Sequence, residues 1–188
     1  MWSRLIACAL LASSLLAATA SAQIYDDRFS GGAPTGRFSG VSSIPKTTVG
    51  FAGDYAPGTI IVNTGERRLY YVLGGGQAIR YGIGVGRIGF TWAGTTAVSA
   101  KKEWPDWTPP AQMIARRPGL PRHMKGGIDN PLGARAMYLG SSLYRIHGSN
   151  EPETIGQAVS SGCFRMTNDD VVDLYNRVNV GAKVVVVR

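Results

Sequence analysis

The residue best equipped for chemistry in this chain is Cys163, in the run Ser160-Ser161-Gly162-Cys163-Phe164-Arg165-Met166. The thiolate is the nucleophile, and an ordinary thiol has a pKa near 8.5, so a working cysteine needs a base or positive neighbours. Arg165 lies two residues on. Gly162 lets the backbone approach a substrate closely, and the successive N–H groups of Gly162 and Cys163 are candidates for an oxyanion hole. The base must be found among two histidines, His123 and His147. His147 ends an apparent strand, Leu143–Ile146, and a strand end gives a base the rigid support it needs. His123 lies in the irregular segment Pro121-Arg122-His123-Met124 and reads as an exposed or substrate-facing loop residue. The spacing therefore pairs Cys163 with His147. One cysteine and two scattered histidines have no metal-ligand spacing, so neither a metal nor another cofactor is expected. Nothing pairs carboxylates as glycoside hydrolysis requires.

Cys163 also stands out by count. The chain has 188 residues and two cysteines. Cys8 falls in Met1–Ala22, which reads as a secretory signal peptide. Arg4 supplies a positive start, Leu5–Ala18 is an apolar run too short to span a bilayer, and Ala20-Ser21-Ala22 fits a small-residue cleavage site. After cleavage near Gln23 no membrane-spanning segment remains, and Cys163 is unpaired in an exported protein. Structural cysteines there come in pairs, so a lone one implies an intermolecular bridge, an inert buried thiol or a thiol kept for chemistry.

The net charge is +8, and fifteen of the 20 basic residues are Arg. An exported basic protein suits an anionic envelope polymer or membrane surface and not nucleic acid, although plain solubility accounts for the charge equally well. Length and composition exclude a multi-domain machine, a disulfide scaffold and a collagen-like chain.

The elements that must position Cys163 and His147 are mostly short strands. Residues 23–55, rich in Gly, Ser, Thr and Pro, read as a flexible tether, with an ordered arm as the alternative. From residue 56 strands are expected at Thr59–Asn63, Leu69–Leu73, Ala78–Val85, Thr95–Ser99, Ala136–Leu139, Leu143–His147 and Lys183–Val187. The last, apolar on both faces, belongs at the centre of a sheet. Gly84-x-Gly86-x-x-Gly89 has the form of a dinucleotide fingerprint, but no helix follows and there is no βαβ unit. Trp104–Pro121 holds five of the ten prolines and reads as a long functional loop, a lid or binding wall. A short helix is expected at Glu153–Val159. A clear one at Asn168–Val178 carries a Val171, Leu174, Tyr175, Val178 stripe for the core.

The segments His147-Gly148-Ser149 and Ser160-Ser161-Gly162-Cys163-Phe164-Arg165-Met166 resemble the signature of the L,D-transpeptidase catalytic domain (YkuD type). That pattern reads His-Gly-Thr, then Ser-(His or Ser)-Gly-Cys-x-Arg. The resemblance extends through Gly58–Val62, Trp104–Pro110, Asn130–Gly133 and the final helix and strand, covering residues 56–188. Ser149 stands where Thr is usual, Phe164 where Ile is common and Ser161 where many members have His.

The resemblance implies a mostly-β, sandwich or barrel-like catalytic domain with one or two helices near the C-terminus. It implies that Cys163 attacks the position-3 diaminoacid of a peptidoglycan stem peptide and releases D-Ala, with His147 as base. The acceptor would be an amine of a second stem, a D-amino acid, or an outer-membrane protein or lipoprotein. Ser161 or Ser149 would orient the imidazole. Arg165 would hold a substrate carboxylate or brace the Cys loop, and Trp104, Trp107 and Met124 would line the cleft or form a local hydrophobic cluster. The expected location is the periplasm, at the cell wall. A hydrolase on the same scaffold and a non-catalytic wall-binding module are the alternatives.

Overall fold

The computed structural model describes Ser42 and residues 44–188. The expected signal segment, with Cys8, and the first part of the expected tether lie outside the described residues. The described residues form eleven strands and two α-helices. The strands are β1 (Thr47–Gly50), β2 (Ile60–Asn63), β3 (Arg68–Gly74), β4 (Gln77–Gly82), β5 (Val85–Gly86), β6 (Gly94–Glu103), β7 (Arg135–Leu139), β8 (Arg145–His147), β9 (Ala158–Ser160), β10 (Phe164–Arg165) and β11 (Lys183–Val187). The helices are α1 (Ala111–Arg116) and α2 (Asn168–Arg177).

Nine strands form one sheet in the order β1-β4-β3-β2-β11-β6-β7-β8-β10, and β5 pairs with β9. β11 is central as expected. Its stiff β-branched residues suit a pleated, covered surface. It runs parallel to β2, with Val184 opposite Ile60, and antiparallel to β6, with Lys183 opposite Ala97. Val184 and Val186 are buried, and they join Ile60, Val62, Leu69, Tyr81, Met137, Leu139, Ile146 and Phe164 in the core. Val171, Leu174 and Val178 of the α2 stripe lie in the same cluster, with Tyr175 packed half-buried against it. Thr167 caps α2, its Oγ1 accepting from the Asp170 N–H at 3.2 Å.

The mostly-β expectation holds, but the sheet is not closed into a barrel. At its far edge β10 meets only Gly84, just beyond β4. There the Gly84 and Arg165 backbones exchange two hydrogen bonds of 2.9 Å. The ladder stops at that bridge because Val85 and Gly86 turn away to pair with β9. The Gly84-x-Gly86-x-x-Gly89 segment thus runs between strands, with no βαβ unit.

Three local expectations are corrected. The tether expected through residue 55 ends earlier, because Thr47–Gly50 pair antiparallel with Gln77–Arg80 as an edge strand. The helix expected at Glu153–Val159 is absent: Pro152–Thr154 make one 3-10 turn, Gly156 takes φ +89°, and Ala158–Ser160 become β9. A left-handed residue in the middle of that segment breaks any helix. The proline-rich loop contains α1, which sequence gave no sign of, and is braced by a two-bond bridge between Trp107 and Met124.

Candidate active site

Cys163 directly precedes β10, and β10 lies parallel to β8 with Phe164 opposite Ile146 and Arg165 opposite His147. This register sets Cys163 alongside the strand that ends in His147. The Cys163 Sγ faces the Leu143 carbonyl at 3.8 Å, two residues before β8, and the Arg145 backbone also reaches the sulfur. His147 is two residues along from Arg145, about 7 Å of strand rise. Alternation turns Ile146 and Phe164, 0% and 1% exposed, into the core and puts Arg145, His147 and Arg165 on the opposite face. The Met166 N–H donates to the His147 carbonyl at 2.8 Å and locks the two segments.

The imidazole is buried at 4% exposure. Its Nδ1 lies 2.6 Å from the Gly148 carbonyl oxygen. A carbonyl can only accept, so Nδ1 carries the proton and Nε2 keeps a lone pair, the tautomer of a base. Burial pushes the His147 pKa down to about 3, the Arg165 guanidinium adds to the drop, and the Gly148 bond opposes it. Burial likewise pushes the half-buried Cys163 thiol up, while Arg145 and Arg165 pull it back. Burial thus favours the neutral form of both the thiol and the imidazole.

The loop carrying Cys163 tolerates only glycine before it. Gly162 has φ +107°, and a Cβ there would collide with the Tyr144 ring. Trp92 spans this point, its Nε1–H donating to the Gly162 carbonyl at 3.0 Å. Trp92 stacks on Tyr144 with ring centroids 4.9 Å apart and touches Phe164 at 5.6 Å. The imidazole is held through Gly148. Asn168, at the start of α2, presses its side-chain oxygen against the Gly133 and Gly148 backbones and accepts from the Ala134 N–H at 2.9 Å.

The remaining candidates take other places. The Gly162 N–H, expected to face an oxyanion, donates to Ser160 Oγ at 3.1 Å, and that hydroxyl donates to the Cys163 carbonyl at 2.6 Å. Ser149 is buried, and its Oγ accepts from the Glu151 N–H at 2.9 Å. It pins a turn, and the contact given for the imidazole is with the Gly148 carbonyl. Ser161 is half-buried in the loop between β9 and β10. Arg165 pairs with Glu151 at 2.8 Å, which braces the segment after His147 against the Cys strand. Trp107 and Met124 bridge each other across the long loop, and Trp104 enters it with φ +41°. His123 is exposed and stays within the same loop, 3.2 Å from Thr108 and 3.8 Å from Asp106. Among the described residues no cluster of His, Cys, Asp and Glu could hold a metal. Trp92 and Asn168 were not legible as site residues because each reaches the site from another segment, and Tyr144 and Arg145, just before and at the start of the strand that ends in His147, belong to no motif of their own.

Residues 57–186 match the YkuD family model, described as the L,D-transpeptidase catalytic domain. The probable L,D-transpeptidase YbiS of Escherichia coli is 43% identical over 134 residues, which are 66% of this chain and 43% of that protein. This chain thus spans less than half the length of that curated relative. A solved Brucella melitensis structure, described as a probable carnitine operon oxidoreductase, is 46% identical with a TM-score of 0.53, covering 78% of this chain and 96% of that one. An L,D-transpeptidase from Mycobacterium smegmatis shares the fold at 20% identity and a TM-score of 0.53, over 69% of this chain and 58% of that one.

Proposed function

Because the chain belongs to the L,D-transpeptidase catalytic-domain family, we propose that it is a cysteine-dependent peptidoglycan L,D-transpeptidase. The observation that carries the reading is the β8–β10 register, which sets Cys163 beside the strand that ends in His147. The Sγ attacks the carbonyl carbon between the position-3 diaminoacid and the terminal D-Ala of a stem tetrapeptide. The thiol proton passes to His147 Nε2. The C–N bond then breaks, the imidazolium gives that proton to the departing D-Ala amine, and a thioester remains. An acceptor amine attacks the thioester, its proton passes by way of the imidazole to the leaving sulfur, and the thiol is restored. The Cys163 N–H, with the Gly162 N–H if Ser160 releases it, stabilises the oxyanion. A thioester keeps the energy of the bond it replaced, so the transfer needs no nucleotide.

The acceptor is an amine of a second stem, a D-amino acid, or an envelope protein. Residues 1–22 serve as the export signal and residues 56–188 as the catalytic domain, acting in the periplasm against the wall. No described helix is long and apolar enough to cross a membrane.

Purified protein given tetrapeptide stems should release D-Ala and form tripeptide-linked dimers, read by muropeptide mass spectrometry. Cys163→Ala should lower that product at least about 10³-fold without changing the fold. Loss of D-Ala or cleavage of dimers with no new cross-link would make the protein a hydrolase. Product unaffected by Cys163→Ala would remove cysteine catalysis altogether.

A further inference from the structure

A second group of arginines lies beside the Cys163 loop and plays no part in the steps above. The turn Arg87-Ile88-Gly89-Phe90 packs directly on that loop. The Arg87 N–H donates to the Ser160 carbonyl at 3.1 Å, and the Phe90 N–H closes the turn on the Arg87 carbonyl at 2.9 Å. The Phe90 carbonyl oxygen lies 3.2 Å from where a Gly162 Cβ would stand. Phe90 is therefore fixed against the residue preceding the nucleophile. Two guanidinium groups meet its ring. Arg87 lies 4.5 Å from the ring centroid, and Arg116, from α1 of the long proline-rich loop, lies 5.3 Å from it.

Neither guanidinium has a carboxylate or other hydrogen-bond partner among the described residues, whereas Arg165, Arg177 and Arg135 all do. A ring face attracts a cation but accepts none of the five N–H donors of an arginine in the usual way. Phe90 thus holds both side chains near the site while leaving their donor edges unspent. Arg145 and Arg165 add positive charge at the sulfur itself. Of these cations Arg165 is paired with Glu151, whereas Arg87 and Arg116 are held on Phe90 without being neutralised among the described residues. Guanidinium donors in that state match the two oxygens of a carboxylate.

We propose that Arg87 and Arg116, clamped on Phe90, bind a carboxylate of an acidic peptide acyl donor and select it over its uncharged amide. The proposal rests on the acyl-transfer reading above and assigns its substrate charge. It also gives the long loop a task, since α1 delivers Arg116 to the Cys163 side of the molecule.

The test compares two tetrapeptide stems, one with free side carboxylates and one with those groups as carboxamides. The full chain and its Arg87→Gln, Arg116→Gln and Arg116→Lys variants are assayed for kcat/KM of D-Ala release. The wild type should favour the acidic stem, and each Gln variant should lower the acid-to-amide ratio about tenfold. Arg116→Lys, which keeps the charge and loses the fork, should fall between. An unchanged ratio in both Gln variants would overturn the proposal. If no stem is turned over and no Cys163 acyl adduct appears by mass spectrometry, the acyl-transfer reading fails on its own. Direct binding of the acidic stem, followed by NMR at two salt concentrations, then decides the clamp. Weaker, less salt-sensitive binding by the Arg87→Gln/Arg116→Gln double variant supports it, and equal binding refutes it.

Discussion

Two charged regions of this molecule are built in opposite ways. At α2, Asp173 gathers every donor within reach. Tyr81 OH donates to it at 2.6 Å, Arg177 donates twice at 3.0 and 3.1 Å, and Lys46 stands 3.2 Å away. Burial alone would raise that carboxyl's pKa, but the bonds from Arg177, Tyr81 and Lys46 outweigh it and hold the group at about 2. At the Cys163 entrance, Arg87 and Arg116 rest on Phe90 with no carboxylate among the described residues. Charges satisfied inside the fold join its parts: Asp173 ties α2 to β4 and to the segment entering β1. Charges left unsatisfied contribute little to holding the fold and remain available to a ligand. The contrast sets charges that join the fold against charges that, in the proposal above, bind substrate.

The largest effect that tests the contrast is at His147, which belongs to both sides of it. His147→Gln should lower D-Ala release about 10²–10⁴-fold, measured with tetrapeptide stems, because the proton acceptor is gone. The same variant should change acid stability. The buried ring's pKa lies near 3 against an ordinary 6.5, so below 6.5 the unfolded chain binds a proton that the folded chain refuses. This contribution is fully present above pH 6.5 and is lost as pH falls toward 3. Urea unfolding across that range should show a shallower pH slope in His147→Gln than in the wild type. An equal slope would mean that the ring is not buried neutral.

A smaller effect belongs to the paired region. Asp173→Asn should cost about 1–3 kcal/mol of stability by urea unfolding at pH 7, since Tyr81 and Arg177 lose a charged acceptor. kcat should be unchanged. Because the folded carboxyl titrates near 2, its contribution is present above the unfolded value near 3.8 and disappears as pH falls through 2. A loss of activity without loss of stability in Asp173→Asn would erase the division between the two regions. The smallest effect is at Lys101, whose Nζ donates to the Tyr175 and Val178 carbonyls at 2.7 and 2.6 Å, at the C-terminal end of α2. Lys101→Met should lower stability by about 1 kcal/mol, read as a drop in thermal midpoint.

Much of the scaffold was legible because its signals are local. Ile60–Asn63, Arg68–Gly74 and Lys183–Val187 show β-branched or alternating residues, and α2 shows both its cap and its stripe. β1 was hidden because Thr47–Gly50 have little apolar content and gain their strand only by lying along β4. Residues 153–159 make no helix because Gly156 takes a positive φ, a conformation that the segment's sequence does not announce. In the candidate site, Cys163 and His147 are named by their own segments, and the β8–β10 register sets those segments side by side. The serine roles were not, because a hydroxyl's partner is set by the turn it sits in: Ser149 serves Glu151, and Ser160 serves Gly162 and Cys163. Trp92, Phe90 and Arg116 come to the loop from segments distant in sequence, and only the fold brings them there.

The position of β11 has a consequence for the order in which this chain can become active. The final strand lies in the middle of the nine-stranded sheet, between β2 and β6. A chain delivered from its N-terminus therefore carries Cys163 and His147 well before it has residues 183–187 to join its two halves. Until those residues arrive, β2 and β6 are unpaired edges and the two halves of the sheet share no ladder. Deleting residues 183–187 would therefore take out the middle of the sheet and leave β2 and β6 as its edges.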